Sequence, residues 1–142
     1  MEKMLKDDSK FYDVFDYHGE GYKPLLDFEA WRIAGLRYAE RFGKDHFYRV
    51  ERHCQTDEVF LLLQGDAYLI IGDDQLAPQF LNALKMEKGK VYNIRKNVWH
   101  HILTTKDAYI FIVENSNTSL DNSGYYEVTQ EQRQAIMVQV DI

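Results

Sequence analysis

Cysteine and proline are scarce in this chain of 142 residues, which has one cysteine and two prolines, and its basic residues are outnumbered by acidic ones. A single cysteine, Cys54, excludes an intramolecular disulfide and makes a reducing compartment the simpler setting. Next to His53 but on the opposite strand face, Cys54 is expected to be a buried, inert thiol. With so little proline, and no repeat or low-complexity tract, nothing marks a linker. Residues 1–142 are expected to form one domain, long enough to bury a core without staples. Lysine and arginine number 17 against 23 acidic residues, a formal charge of −6. That balance argues against the basic face a nucleic-acid partner needs, and weakly against an anionic membrane surface. No apolar run approaches the ~18–20 residues that span a bilayer. The charged start, Met1 to Lys10, lacks the apolar core of a secretory signal, so a cytoplasmic protein is expected.

What the chain does have is aromatic residues and β-pattern. Ten tyrosines, eight phenylalanines and two tryptophans favour sheets and supply pocket walls. Asp27 to Tyr38 predicts one or two outer strands. From Phe47 the spacing predicts strands over Phe47–His53, Glu58–Gln64, Ala67–Ile71, Pro78–Met86, Val91–Ile94, Trp99–Thr104 and Tyr109–Glu114. Polar turns at Cys54–Asp57, Gly65-Asp66, Gly72–Asp74 and Glu87–Lys90 separate them. Short strands at this spacing predict an all-β sandwich or barrel. Val59 to Leu63 is apolar on both faces, which predicts an outer face covered by the N-terminal segment or by a second subunit, hence a homodimer. Thr129 to Val138 has a cap residue and helix formers and predicts a short terminal helix.

Chemistry concentrates in two places. Alternation puts Glu51 and His53 on one strand face, and the turn at 54–57 returns the chain so that Glu58 can face His53. A second imidazole arrives from Val98-Trp99-His100-His101, where only one of the two histidines can point inward. Two imidazoles and carboxylates meeting inside a barrel can hold a divalent metal. The plainer alternative is a hydrogen-bonded pocket pair, with a core histidine satisfied by a backbone carbonyl.

These residues resemble the cupin motifs. His53, Glu58 and Gly65 fit the first motif position for position, with Glu51 standing where its first histidine would be. Gly89 and His100 have the separation of the second motif, with Arg95, Asn97 and Thr104 in place of its usual Pro, Gly and Asn. The resemblance implies a small double-stranded β-helix, a cupin or jelly-roll barrel, with a short C-terminal helix. It selects His100 over His101 as the inward residue, leaving His101 structural or at the surface. It implies His53, Glu58 and His100 as metal ligands, with Glu51 in the remaining position or paired with Arg49 or Arg52. A site this anionic would suit Zn, Mn, Ni or Fe better than Cu(I).

A narrower resemblance, carried by Glu51-Arg52-His53, Gln64–Ala67, Gly72–Asp74 and Asn97–His101, is to the ureidoglycolate lyase family. It departs at Glu58, where Gln is expected, and at Ile102, where Pro is expected. It implies a metal-dependent lyase acting on a small polar or carboxylated molecule by C–N cleavage, with Glu51 or Glu58 as catalytic base. Arg95 offers a fork for a substrate carboxylate, or else is a solvated surface arginine. Tyr92 and Trp99 are expected as core or pocket wall, Tyr92 on the substrate side. A non-catalytic cupin that binds or senses a small molecule or metal is the alternative. His18 and His46 lie outside both motifs.

Overall fold

Residues 11–142 are described by a computed structural model; the charged start, Met1 to Lys10, lies outside them. Ten strands follow in order: β1 (Tyr22–Phe28), β2 (Trp31–Arg37), β3 (Arg49–His53), β4 (Glu58–Gln64), β5 (Ala67–Gly72), β6 (Leu81–Lys85), β7 (Val91–Ile94), β8 (His100–Thr104), β9 (Tyr109–Asn115) and β10 (Ser123–Glu127). One helix, α1 (Gln130–Met137), closes the chain. The strands form two antiparallel five-stranded sheets, ordered β1-β2-β9-β4-β7 and β10-β3-β8-β5-β6. This is the predicted cupin-type jelly-roll barrel.

Alternation sorts the strands into an inside and an outside. Ala34, Leu36, Phe60, Leu62, Ile110 and Ile112 from the first sheet meet Ala67, Leu69 and Ile102 from the second in one buried cluster. A second cluster lies on the outer face of the β10-β3-β8-β5-β6 sheet, where Val50, Ile70, Leu103 and Trp99 pack under Ile136 and Val140 of the C-terminal segment. Helix α1 therefore covers this sheet and not the one that holds Val59 to Leu63, for which an outer cover was expected. Its start is fixed by reciprocal capping: Thr129 Oγ1 accepts the Gln132 N–H at 3.0 Å, and Gln132 Oε1 accepts the Thr129 N–H at 2.9 Å. Burying Ile136 completely is worth ~1.5–3 kcal/mol. The outer face of the other sheet leaves Trp31, Leu63, Val91 and Val113 exposed, and an expected second subunit would have to rest there.

Several boundaries move for physical reasons. The region before Tyr38 holds two strands, of the one or two expected, and the first begins earlier than Asp27, at Tyr22; a turn in which Glu29 takes φ +48° joins them. The expected strand over Pro78–Met86 shrinks to Leu81–Lys85 because Asp73 Oδ2 accepts the Gln79 N–H at 2.8 Å and holds the preceding loop away from the sheet. Gly65 has φ +75°, and a Cβ there would lie 2.7 Å from Ala108 Cα, so the β4–β5 hairpin demands glycine. Asn97, where the second cupin motif has glycine, adopts φ +69°, a left-handed conformation that Asn tolerates better than most residues. Strand β10 was not predicted at all, and it carries part of the site.

Candidate metal centre

Three strand registers assemble the centre. Glu51 lies directly across from His100 in the β3–β8 pair, and His53 lies across from Ser123 in the β3–β10 pair. Glu58 begins β4, and its neighbour Val59 pairs with Val113 of β9, which brings Glu114 alongside. The turn before Glu58 is tied to the second motif. Asp57 accepts the Lys96 N–H at 2.9 Å and an Asn93 amide N–H at 3.1 Å, and the His53 carbonyl accepts the Asn97 N–H at 2.8 Å. The two motifs are thus clamped together by backbone and carboxylate hydrogen bonds before any side chain in the centre is considered.

Glu51, His53, Glu58 and His100 each offer one donor atom, and these atoms all lie within 4.8 Å of one another. His53, Glu58 and His100 are only 8%, 4% and 3% exposed, whereas Glu51 is half-buried. Both histidines have their outer nitrogen occupied. His53 Nδ1 is 2.8 Å from Ser123 Oγ, and Ser123 Oγ itself donates to the Ser119 carbonyl at 2.7 Å. The hydroxyl can only accept from the imidazole, so Nδ1 carries the hydrogen and Nε2 presents a lone pair. His100 Nδ1 likewise faces the Val98 carbonyl at 2.9 Å. Outer partners that fix the imidazole tautomer are the usual arrangement around metal-ligating histidines.

The inner atoms are where the set is short of a partner. His53 Nε2 is buried with no hydrogen bond, although Glu58 Oε1 is 3.3 Å away and Glu51 Oε1 3.9 Å away. Buried orphaned nitrogens are costly, and a cation at this point would satisfy it. His100 Nε2 meets Glu58 Oε1 at 2.8 Å. Burial opposes a charge on His100, but the Glu58 carboxylate outweighs it and lifts the imidazole pKa to about 9. Burial also opposes ionisation of Glu58, yet the His100 hydrogen bond holds it well below the usual carboxylate range. One proton therefore sits where a divalent ion would fit, on a donor set of two imidazoles and two carboxylates suited to a first-row metal.

Glu114, which sequence reasoning missed, stands behind Glu58 and is 5% exposed. It is hydrogen-bonded to Glu58, and burial together with that neighbouring charge raises its pKa to about 8. Glu114 thus holds a proton while Glu58 stays ionised. Tyr22 Oη donates to Glu114 Oε2 at 3.1 Å. Arg32 Nη1 lies 3.6 Å from the same oxygen and donates to the Thr118 carbonyl, while Nε donates to Asp27 and Nη2 to the Ser116 carbonyl.

The centre opens into a cavity of about 540 Å³. Arg41, His46, Tyr48, Arg49 and Tyr125 line it, none of them singled out from sequence as binding residues. Arg49 packs over the Tyr125 ring at 4.5 Å and Arg41 over Phe42 at 4.7 Å; neither has an ion pair among the described residues. Alternation from Glu51 would have flagged Arg49. Tyr125 and Ser123 depended on recognising β10, whose Gly-Tyr-Tyr-Glu-Val run is the only local signal.

Other expectations fall elsewhere. Arg95 is exposed and Tyr92 packs beside the inner core with its hydroxyl accepting the Glu87 N–H at 2.8 Å; neither lines the cavity. Arg52 turns outward over Trp99 at 4.3 Å and Arg49 lies over Tyr125, and among the described residues neither forms an ion pair with Glu51. Trp99 belongs to the outer core. Cys54 is exposed, not buried, because β3 ends at His53 and the bend turns the thiol to solvent. His101 points away from the metal centre, stacked on Phe47 at 5.4 Å with Nε2 donating to the Arg41 carbonyl at 3.2 Å. Burial pushes its pKa down to about 3.

Comparison with known proteins agrees with this geometry. The ureidoglycolate lyase family model matches residues 39–136, and both departures noted from sequence, Glu58 and Ile102, line the cavity. No curated protein matches the sequence. Among solved structures, Streptomyces Pac13, a nucleoside dehydratase, is similar with TM-score 0.54 and 8% identity over 84% of this chain and 96% of that one. KdgF from Halomonas aligns with TM-score 0.52 and 11% identity over 78% and 91%. Oxalate decarboxylase from Bacillus subtilis aligns with TM-score 0.52 and 15% identity over 68% of this chain but 24% of its own. At these identities the likeness is one of fold.

Proposed function

The chain belongs to the ureidoglycolate lyase family, and on that premise we propose that it is a metal-dependent lyase. It would cleave the C–N bond of a small carboxylated hemiaminal, ureidoglycolate being the leading example. The observation that carries this reading is the convergence of four donor atoms, among them the unpartnered His53 Nε2.

In this reading His53, Glu58 and His100 hold the metal, with Glu51 at its edge. A bound divalent ion would act as a Lewis acid toward a substrate oxygen. Glu51, the least buried of the four, has the room to take the proton of the substrate hydroxyl. As that O–H proton leaves, the oxygen's electron pair forms the carbonyl of glyoxylate and the C–N bond breaks. The bonding pair stays on the urea nitrogen, which takes the proton back from Glu51, so atoms and charge balance. Glu114, held protonated behind Glu58, keeps the Glu58 carboxylate oriented. Arg41 and Arg49 set positive charge along the cavity and draw an anionic substrate inward.

The test has two arms. Metal analysis of the purified protein should find about one divalent ion per chain (Zn, Mn, Ni or Fe), lost in His53→Ala. Metal-replete protein should release urea and glyoxylate from ureidoglycolate, and Glu51→Gln should lower kcat by ~10²–10⁴-fold, the range for a lost general base. Bound metal with no product would move the assignment to a binding or sensing cupin.

A further inference from the structure

The cavity is far larger than the head group its polar end is built to hold. At about 540 Å³ it falls within the ~300–1,000 Å³ that encloses a drug-sized ligand, and a molecule of about nine non-hydrogen atoms such as ureidoglycolate would leave most of it to water. Leu36, Phe42, Phe60, Ile102 and Ile112 are among the residues that line it. This apolar surface begins at the centre itself: the Phe60 ring stands edge-on to His100 at 6.0 Å. At the rim, Leu120 lines the cavity yet is 74% exposed. A reciprocal cap holds its turn in place: Ser119 Oγ accepts the Asp121 N–H at 3.2 Å, and Asn122 Oδ1 accepts the Ser119 N–H at 2.9 Å. Fixed apolar surface next to a polar centre gains by meeting an apolar group, since removing it from water is favourable.

We infer that the substrate is amphipathic: a carboxylated polar head at the Glu51–His100 cluster, carrying an apolar substituent of about the size of an aromatic ring that lies against Phe60, Ile102, Ile112 and Leu120. This rests on the proposed reading of that cluster as the head-group site, but not on the lyase chemistry. The substituent would sit on the urea nitrogen remote from the breaking bond, so the C–N cleavage is unchanged by it.

Two ligands with one head separate the possibilities. Oxamate and N-phenyloxamate are titrated calorimetrically into the metal-replete protein. N-phenyloxamate is expected to bind at least tenfold more tightly, and Leu120→Ser should shrink that ratio at least threefold. Leu120 is on the surface, so the fold should survive the change. Equal or weaker binding of N-phenyloxamate would overturn the inference. In parallel, turnover of ureidoglycolate is compared with that of its N-phenyl analogue. If ureidoglycolate is cleaved with the higher kcat/KM, the lyase reading stands and the amphipathic substrate falls. If neither is cleaved but N-phenyloxamate still binds at least tenfold more tightly than oxamate, the lyase reading falls and the amphipathic ligand stands.

Discussion

Ser123 offers a sharp test of how the centre is built, because it touches no expected ligand atom yet decides what His53 can do. Its hydroxyl accepts from His53 Nδ1 at 2.8 Å while donating to the Ser119 carbonyl at 2.7 Å. In Ser123→Ala the imidazole loses the acceptor that pins its hydrogen on Nδ1. The other tautomer then becomes favourable, since an Nε2–H would face Glu58 Oε1 at 3.3 Å. That tautomer has no lone pair for a metal. Outer partners of ligating histidines are worth ~10–100-fold in metal affinity, or about 1.4–2.8 kcal/mol. Competition against a chromophoric chelator with Zn²⁺ at neutral pH would read this loss directly. The stability of the metal-free protein, read by chemical denaturation, should fall only by the value of the two hydrogen bonds the hydroxyl makes, ~0.5–1.5 kcal/mol each. Ser123→Thr, which keeps the hydroxyl, should recover most of the affinity. If Ser123→Ala binds Zn²⁺ within twofold of the parent protein, the tautomer argument fails and His53 is not held as a ligand by this contact.

Other consequences can be measured separately. Glu114→Gln should be close to neutral in stability, since the amide still accepts from Tyr22 and can donate to Glu58. Glu114→Val should cost ~1–3 kcal/mol in urea titrations by stranding the Tyr22 hydroxyl, and equal effects of the two would contradict the network. His101 has its pKa lowered by burial to about 3, so the unfolded chain takes up this proton first as pH falls. Its contribution is complete above the ordinary imidazole pKa, ~6.5, and is lost on acidification toward 3. His101→Phe should therefore flatten the fall in thermal midpoint between neutral and acidic pH, and an unchanged slope would refute the assignment. Ile136→Ala should destabilise by ~2–5 kcal/mol, because helix α1 seals the outer core. A smaller loss on chemical denaturation would mean that the helix is dispensable cover.

Glu58 to Gln64 is a strand with the predicted limits because its residues, β-prone and bounded by a polar turn and Gly65, settle the matter locally. The pairing of His53 with Glu58, and the approach of His100, were legible for a similar reason: alternation within a strand and the motif spacing both live in sequence separation. Ser123, Tyr125 and Glu114 were not legible. Each matters only through the strand it faces, and register between strands far apart in the chain is set by tertiary packing. The same holds for Arg95 and Tyr92, which share the second-motif segment with His100 but point elsewhere once β7 takes its place beside β4. The sequence by itself determined the all-β class, the terminal helix and the imidazole and carboxylate types of the cluster. Only the folded barrel decided which faces close over the centre, which arginines reach the cavity and how much space is left beside the His/Glu cluster. Those depend on side chains meeting across the two sheets, and no spacing along one strand encodes that.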